Sequence, residues 1–467
     1  MTLSIVIMAA GKGTRMKSSR PKVLHALAGR PMLAHVVDTT ATLGATQQFV
    51  VTGHGAEQVE VAMRTLCAGR AGTPLQFVRQ EPQLGTGHAV QQAVPVLPDD
   101  GITLILNGDT PLIEARTAQA LIDACAGERL ALLTISLTDP TGYGRIVRDG
   151  WGEQVLAIVE HKDATEAQRA LKEVYTGVMA APTRLLKGWL GRLTNDNAQR
   201  EYYLTDVVAM ARHDKVPVVA AQPQSEVEVL GVNSPAQLAE LERRFQRVQA
   251  ERLMEQGVRL LDPARFDLRG SLQCGQDVEI DVNCVFEGAV ALGDNVRIGA
   301  NCVIRNAVIE AGAVVHPFTH IDGDADGVTV GEGALIGPFA RLRPGARLGP
   351  EVHIGNFVEV KNSTLARGAK ANHLAYLGDA TVGERVNYGA GAITANYDGA
   401  NKHRTVIGND VHVGSNCVLI APVSLGDGAT IGGGSTISKD APAGQLTVAR
   451  PKQVSLSGWS RPIKARK

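Results

Sequence analysis

A six-residue period runs through the second half of this 467-residue chain and constrains its fold more than any other feature. An aliphatic or aromatic residue recurs at Ile280, Phe286, Leu292, Ile298 and Ile304, at Val330, Ile336, Leu342, Leu348, Ile354 and Val360, and at Ile407, Val413, Leu419, Leu425, Ile431 and Ile437. A small or β-branched residue follows four positions later, at Cys284, Val290, Val296, Cys302, Ala334, Ala340, Ala346, Val352, Val411, Cys417, Val423 and Ala429. Three such hexads make one triangular coil, and stacked coils bury a narrow interior. We predict an all-β left-handed parallel β-helix, whose hand opposes the general preference for right-handed crossovers.

Two segments interrupt this period. They are "DGDADG" from Asp322 to Gly327 and "ANYDGANKHR" from Ala395 to Arg404. A loop that leaves a regular coil has no packing role, so we expect functional residues there.

The first half alternates apolar strand-like runs with helical patterns. The runs "SIVIMAA", "QFVVTGH", "ITLILNGD" and "LALLTISL" predict buried strands, and "RPMLAHVVDTTATLG" predicts a helix that ends at Gly44. This alternation predicts a doubly wound, Rossmann-like α/β domain over residues 1–233. Ser234 and Pro235 suit the start of a long helix and Gly257 its end, which gives a helical linker at 234–256 and a third segment at 257–467.

The composition excludes several classes of protein. The 47 basic residues balance 47 acidic ones, so no large basic field is available for nucleic acid. No apolar run reaches the roughly 20 residues that a membrane span needs, and no signal-peptide pattern is present. The six cysteines show no metal-ligand spacing. We expect a soluble cytoplasmic protein that neither binds nucleic acid nor inserts into a membrane.

The stretch "MAAGKGTRM" after the first predicted strand indicates a phosphate-binding turn. It lacks the GxxxxGK[ST] of a Walker loop, and Met16 stands where GxGxxG needs its third glycine. Arg15 and Lys22 supply two cations close to this turn, and "NGD" (Asn107 to Asp109) also follows a predicted strand.

These motifs, in order, resemble one bacterial family. The matching segments are "MAAGKGTRM…PKVL", "QLGTGHA", "NGDTPL", "GYGRI", "VEHKDAT", "EYYLTD", "GVN", "RLRPG", "NFVEVKN", "NHLAYLGDA", "NYGAG" and "ANYDG.NK". The family is the bifunctional N-acetylglucosamine-1-phosphate uridylyltransferase/glucosamine-1-phosphate N-acetyltransferase, and the resemblance covers essentially the whole chain. It implies an enzyme that acetylates glucosamine-1-phosphate from acetyl-CoA and then joins N-acetylglucosamine-1-phosphate to UTP. It also implies a homotrimer whose product, UDP-N-acetylglucosamine, feeds peptidoglycan and lipopolysaccharide synthesis.

For the first domain, the resemblance implies a UTP and UDP-N-acetylglucosamine site. Arg15 and Lys22 would clamp phosphates as catalytic residues, and Asp109 and Asn233 would hold Mg²⁺. The other residues implied in binding are Met8, Ala9, Ala10, Gly11, Gln80, Gly85, Thr86, Asn107, Gly108, Gly144, Glu160 and Tyr175.

For the second domain, the resemblance implies that His373 is the catalytic base for acetyl transfer, with Glu359 orienting or polarising it. Arg343, Lys361, Tyr376 and Asn387 would hold the sugar phosphate. The implied acetyl-CoA residues are Ala390, Asn396, Tyr397, Ser415, Gly433 and Arg450.

Structural explanations compete with several of these assignments. A strand followed by GxG is often only a turn, Asp109 could cap a helix, and Asn233 could simply start one. Two functional alternatives also stay open at this stage: a sugar nucleotidyltransferase of another base or sugar preference whose β-helix only oligomerises, and a non-catalytic scaffold of the same folds.

Three positions depart from the commoner family pattern. Asn107 stands where tyrosine is frequent, and Gly433 replaces a frequent alanine. Tyr175 stands where the family usually has an asparagine that bonds the sugar. We expect Tyr175 to lower the affinity for N-acetylglucosamine-1-phosphate relative to asparagine.

Overall fold

The computed structural model describes residues 2–69 and 72–464. Met1, Arg70, Ala71 and the last three residues of the predicted 257–467 segment lie outside the described residues. The chain divides into two compact units, Met1–Phe245 and Gln246–Lys467. This division falls inside the stretch 234–256.

The first unit is built on a nine-stranded sheet. Its central strands β1, β4, β5 and β6 run parallel, as the alternating pattern predicts. β10 lies antiparallel between β6 and β7, and β8 and β9 form a hairpin beside it. The strands of this unit, including the small β2–β3 pair, are β1 Leu3–Ala9, β2 Ala26–Leu27, β3 Arg30–Pro31, β4 Gln47–Thr52, β5 Leu75–Arg79, β6 Ile102–Asn107, β7 Leu130–Ser136, β8 Gly144–Arg148, β9 Val155–Val159, β10 Glu173–Pro182 and β11 Val218–Ala221.

Helices cover both faces of this sheet. Two separate hydrophobic clusters result, one on each face, because alternate side chains of every strand point to opposite sides. The helices are α1 Met32–Ala41, α2 Ala56–Cys67, α3 Thr86–Gln91, α4 Ala115–Cys125, α5 Glu166–Arg169, α6 Thr183–Leu190, α7 Val207–His213 and α8 Pro235–Glu255.

Helix α8 begins where the sequence predicts. Pro235 is its first residue, and the Ser234 hydroxyl accepts a hydrogen bond from the Gln237 backbone N–H at 3.3 Å. Leu241, on its first half, is buried in a small cluster of the first unit with Met16, Leu27, Met32 and Val232. The apolar residues in the first half of the helix therefore pack against the first unit.

The second unit is a stack of parallel strands with three faces. One sheet has 11 strands; the other has 16 and folds along its length, because the strand Val303–Ile309 pairs with two separate strands, His320–Asp322 and Val328–Val330.

The strands of the 11-stranded face are Arg259–Leu260, Glu279–Ile280, Arg297–Ile298, Val314–Val315, Leu335–Ile336, His353–Asn356, Lys370–His373, Asn387–Tyr388, His412–Val413, Thr430–Ile431 and Leu446–Thr447. The folded sheet starts with the long strands Phe266–Cys274, Cys284–Leu292 and Val303–Ile309. Its second face continues through His320–Asp322, Arg341–Leu342, Glu359–Lys361, Tyr376–Gly378, Ile393–Ala395, Val418–Ile420 and Thr436–Ile437. Its third face continues through Val328–Val330, Arg347–Leu348, Thr364–Leu365, Ala380–Val382, Thr405–Ile407 and Val423–Leu425.

The corner between the first and second faces is turned by residues with left-handed backbone. Asparagine fills this position at Asn283 and Asn301, as its tolerance of positive φ predicts. Further along, the position is held by Phe318, Phe339 and Phe357, whose rings stack with centroids 5.0 and 5.3 Å apart. These phenylalanines are about half exposed, so an apolar ridge runs along this corner.

The large and small residues of the six-residue period all lie in one buried interior. The predicted fold class is therefore confirmed: a Rossmann-like α/β domain, a long helix and a hexapeptide β-helix. In the described residues, no helix combines the length and apolarity needed to cross a membrane.

The interior admits a large residue and then a small one along each coil. This size rule gives a stability prediction. Ala346 is fully buried at a small position, so Ala346→Leu adds volume that a closed coil cannot accommodate. We expect the free energy of unfolding of the second unit to fall by about 1–3 kcal/mol. Thr430→Leu, on the exposed side of a coil strand, is the control and should change it by less than about 0.5 kcal/mol. Calorimetry measures both, and equal losses would contradict the size rule.

Candidate functional site

In the first unit, the candidate site lies at the carboxyl ends of the parallel strands. The loops after β1, β5 and β6 meet there, as expected for an open α/β sheet. They line two cavities of about 640 Å³ and 260 Å³, which share Met8, Arg15, Thr86, Asn107 and Asp109. A ligand with two linked parts could therefore occupy both.

The glycine-containing turn forms one wall of the larger cavity. Gly13 has a φ of +58°, and a Cβ there would lie 2.7 Å from the Lys22 Cβ. Only glycine lets the turn pass this close to the lysine stem. The turn residues Met8 to Arg15 all line the cavity, as does Lys22.

Lys22 joins the two residues expected to bind metal. Its Nζ forms an ion pair with Asp109 Oδ2 and donates to Asn233 Oδ1 at 3.1 Å. The backbone holds these oxygens together, since the Val232 N–H donates to the Asp109 carbonyl at 3.0 Å. A carboxylate and an amide oxygen that converge on one cation are the hard donors that Mg²⁺ uses, so these residues fit the metal.

Gln80 and Thr86 also line the larger cavity. The buried Gln80 side chain donates through Nε2 to the Gly85 carbonyl at 2.9 Å, which leaves its carbonyl oxygen for a ligand. Thr86 Oγ1 accepts from the Leu204 N–H at 3.1 Å. Amide and backbone groups of this kind can read the edge of a base.

The smaller cavity has a carboxylic acid in its wall. Glu160 accepts a hydrogen bond from the Thr205 hydroxyl at 3.1 Å, and burial raises the pKa of its carboxyl. Gly144 lines the same cavity, and a side chain does not fit there because a Cβ would lie 2.8 Å from Ile158 Cγ2. Polar groups around a small concave space suit a sugar.

Tyr175 also borders the smaller cavity, but its side chain belongs to the core. Only 7% of the residue is exposed, and its ring is part of the hydrophobic cluster on that face of the sheet. Its hydroxyl finds no hydrogen-bond partner in the described part of the chain. Nearby, Asn107 Nδ2 makes only a 3.4 Å contact with the Thr176 carbonyl, so this amide remains available to a ligand.

Nearly all the residues expected for this site line the two cavities. Gly108 does not, and its N–H donates instead to the Met8 carbonyl at 2.9 Å, which holds β6 beside β1. Other polar lining residues were not expected from the sequence because they carry no chemical signal of their own. Gln83, Thr110, Tyr143, Glu201 and Thr205 lie within segments that match the family, and Thr141 and Gln199 lie just before two of them.

In the second unit, four expected residues form one column at the corner between the first and second faces. The carbonyl oxygens of His373, Ala390 and Ser415 each accept from the next coil, from the N–H groups of Gly391, Asn416 and Gly434. Gly433 is the next member of the column, and its carbonyl accepts from Arg450 Nη1 at 2.6 Å. Coil stacking thus aligns residues that are far apart in the sequence.

His373 is oriented by Asn356 from the preceding coil. The two residues are paired in register, and His373 Nδ1 lies 2.7 Å from Asn356 Oδ1. Because an amide oxygen only accepts, Nδ1 carries a proton, and in the neutral imidazole Nε2 is then the nitrogen with the free lone pair. Glu359, expected in this role, instead accepts from Arg343 at 2.8 Å and from Arg341 at 3.2 Å. Asn356 could have been found by aligning the sequences of successive coils, because this alignment places it opposite His373.

Three cationic side chains lie close together at the end of the strand Glu359–Lys361. Burial lowers the pKa of the Lys361 ammonium, and the nearby Lys402 and Arg343 lower it further. Such crowding of like charge is typical of an anion site. Lys402 lies in the loop that interrupts the period and is not among the residues expected above. Tyr376 lies directly above Glu359 on the second face, whereas Asn387 lies on the first face.

The loop Ala395–Arg404 is attached to the coil through Asp379. This buried carboxylate accepts from Asn396 Nδ2 at 2.5 Å and also from the Asn362 amide. Tyr397, by contrast, is 62% exposed, and its hydroxyl donates to the Gly399 carbonyl at 2.6 Å. Of the two expected coenzyme residues in the loop, Asn396 is therefore tied to the coil and Tyr397 faces outward.

Comparison with known proteins matches both units. A MobA-like NTP transferase domain matches residues 5–260, and the bacterial transferase hexapeptide repeat matches 272–306, 327–362 and 404–439. The "Bifunctional protein GlmU" of Methylibium petroleiphilum is 77% identical over 99% of this chain and 100% of its own length. The protein of that name from Polaromonas naphthalenivorans is 71% identical over 99% of this chain and 98% of its own. A solved UDP-glucose pyrophosphorylase covers 52% of the chain and 98% of its own at 15% identity, with a TM-score of 0.44.

Two substitutions distinguish the contribution of the Tyr175 ring from that of its hydroxyl. Tyr175→Phe removes a buried hydroxyl without a partner, so we expect the free energy of unfolding to stay unchanged or rise by up to about 1 kcal/mol. Tyr175→Asn removes a buried ring and should lower it by about 3 kcal/mol, while lowering the Michaelis constant for the sugar phosphate. Denaturant titration and steady-state kinetics measure these effects. A large loss in Tyr175→Phe, or equal Michaelis constants for Tyr175→Asn and the natural protein, would contradict them.

Proposed function

The chain belongs to the family of bifunctional GlmU proteins, and we propose how its residues perform the two reactions of UDP-N-acetylglucosamine synthesis. The N-terminal unit is the uridylyltransferase and the C-terminal unit is the glucosamine-1-phosphate acetyltransferase. The product is a precursor of the cell wall. The observation that supports the residue assignments is a cluster of cationic side chains in each unit, around Arg15 and Lys22 in the first and around Lys361 in the second.

In uridylyl transfer, a phosphate oxygen of N-acetylglucosamine-1-phosphate attacks the α-phosphorus of UTP, and the bond to the leaving pyrophosphate breaks. The enzyme positions two anions and stabilises charge, without a nucleophile of its own. UTP would lie in the larger cavity, with its base at Gln80 and Thr86 and its phosphates at Arg15 and the glycine turn. The sugar would occupy the smaller cavity beside Glu160 and Asn107.

We assign Asp109 and Asn233 as the Mg²⁺ ligands. Their oxygens already converge on the Lys22 ammonium. When bound, Mg²⁺ would stabilise negative charge on the phosphates. Arg15 lines both cavities and can therefore contact anions in either.

In acetyl transfer, the amine of glucosamine-1-phosphate attacks the thioester carbonyl of acetyl-CoA. His373 Nε2 takes the amine proton, the carbon–sulfur bond breaks, and the coenzyme leaves as its thiol after accepting a proton. Asn356 would hold the neutral imidazole in the tautomer with its proton on Nδ1, so that Nε2 can accept. Arg343, Lys361 and Lys402 would hold the sugar phosphate, and the corner column with the loop Ala395–Arg404 would hold acetyl-CoA.

We also propose a homotrimer. The exposed stack of Phe318, Phe339 and Phe357 adjoins a cavity of about 390 Å³ that His373 lines. An exposed aromatic ridge of this length is typical of a surface that another chain covers. Covering it would enclose the acetyl-transfer site.

Two substitutions test the assignment of one reaction to each unit. Asp109→Ala should lower uridylyl transfer by about a hundredfold or more and leave acetyl transfer unchanged. His373→Ala should lower acetyl transfer by about 10²–10⁴-fold and leave uridylyl transfer unchanged. Pyrophosphate release and loss of free amine are measured separately, with each unit's substrates supplied alone. If either variant lost both activities while remaining folded, the division would be wrong.

Asn356→Ala tests the orientation of the base. Without the amide oxygen the imidazole can rotate or change tautomer, so we expect kcat for acetyl transfer to fall about tenfold or more. The Michaelis constant for acetyl-CoA should change little, because Asn356 contacts the base. Uridylyl transfer by the same sample reports on folding. A rise in the Michaelis constant with an unchanged kcat would assign Asn356 to binding.

A further inference from the structure

Lys22 lies where a metal ion would have to lie. Its ammonium contacts Asp109 Oδ2 and Asn233 Oδ1, the two oxygens assigned to the metal. The side chains of Lys22 and Asp109 are only 13% and 19% exposed, so water screens this ion pair weakly. Ammonium and metal are both compact cations, and the same two oxygens cannot bind both at full strength.

The backbone around these groups fixes the contact. Lys22 begins a short 3₁₀-helix, and its side chain packs against Gly13, where a Cβ would lie 2.7 Å from the Lys22 Cβ. Asp109 follows β6, and the Val232 N–H holds the Asn233 segment against it. The Asn233 N–H in turn donates to Gln237 Oε1 at 2.8 Å, on the first turn of α8. The oxygens therefore stay in place, whereas the flexible lysine side chain can move.

The lysine has a second destination within its reach. Lys22 lines the larger cavity together with Gly11, Lys12 and Arg15, where the phosphates of UTP would lie. An ammonium released from Asp109 can rotate about its four-carbon stem toward those phosphates.

We propose that Lys22 is a displaceable counter-ion of the metal site: a divalent cation that binds Asp109 and Asn233 expels the ammonium, which then contacts phosphate. This inference rests on the proposed metal site. If Lys22 competes in this way, the metal binds Asp109 and Asn233 more weakly than it would without the ammonium. The contact between Lys22 and phosphate then also depends on whether the metal is bound.

The first test measures Mn²⁺ binding to the full chain without nucleotide, by electron paramagnetic resonance. Lys22→Met removes the competing cation, so Mn²⁺ should bind roughly tenfold more tightly than to the natural protein. Lys12→Met is the control, because Lys12 lines the same cavity but is not assigned a contact with Asp109 or Asn233. The Mn²⁺ affinity of this variant should match that of the natural protein. Lys22→Gln repeats the test with a second variant, and acetyl transfer confirms that each sample is folded.

Asp109→Asn separates this inference from the proposed function. If Asp109→Asn abolishes Mn²⁺ binding and Lys22→Met strengthens it, both stand. If Asp109→Asn abolishes it but Lys22→Met leaves it equal or weaker, the metal site stands and the counter-ion role is overturned. If Asp109→Asn leaves Mn²⁺ binding intact, the metal site is wrong and the inference falls with it.

A double-mutant cycle gives a readout without metal. UTP binding is measured by calorimetry in the presence of a chelator, for the natural protein, Lys22→Met, Asp109→Asn and the double variant. With Asp109 present the ammonium is held away from the phosphates, so Lys22→Met should change UTP affinity by less than twofold. With Asp109→Asn the ammonium is free, and losing it should weaken UTP binding several-fold. Equal effects of Lys22→Met in the two backgrounds would overturn the proposal.

Discussion

Parallel strand pairing in a fixed register is the constraint on which both sites depend. In the first unit it brings the ends of β1, β5 and β6 to one edge, so the glycine turn, Gln80 and Asp109 meet there. In the second unit each coil repeats the path of the one before, so Asn356 pairs with His373 directly. The same backbone hydrogen bonding therefore assembles a nucleotide site from loops and an acetyl-transfer site from a corner. In the first unit the loops after the strands supply the chemistry, whereas in the second unit residues at the ends of strands, Asn356 and His373, supply it.

The balance of charge within each site follows from this geometry. Asp109 is held by Lys22 and Glu359 by two arginines, whereas the Glu160 carboxyl has, within the described residues, only the Thr205 hydroxyl as a partner. Among the residues that the structure describes, the larger cavity is lined by three cations, Lys12, Arg15 and Lys22, against two acids, Asp109 and Glu201, and in the second unit Lys361 and Lys402 add to Arg343. That excess suits substrates carrying phosphate, which both reactions share. A neutral chain can thus bind anions through local excess alone.

Much of the fold follows from the sequence because its signals are local and repeated. The six-residue period, the strand runs and the Ser234–Pro235 helix start each depend on neighbouring residues, and the structure has each of them. The antiparallel direction of β10 has no such signal, because apolar runs do not encode strand direction. Contacts between distant residues were also invisible: Asn356 with His373 needs the coil register, and Lys22 with Asp109 needs the sheet. Tyr175 lines the cavity proposed for the sugar, but the packing of its ring in the core depends on contacts between distant strands, which the sequence pattern does not encode.

The corner column also bears on how such a chain can change in length. A coil added or deleted beyond the column leaves the buried interior continuous, since every coil presents the same faces to its neighbours. One inserted between Asn356 and His373 would leave the interior equally continuous but separate the base from its orienting amide by a full strand spacing, about 4.8 Å. Insertions of whole coils are thus neutral to folding along most of the stack and damaging to chemistry where they fall between Asn356 and the end of the column. Length variation should accordingly accumulate outside those coils.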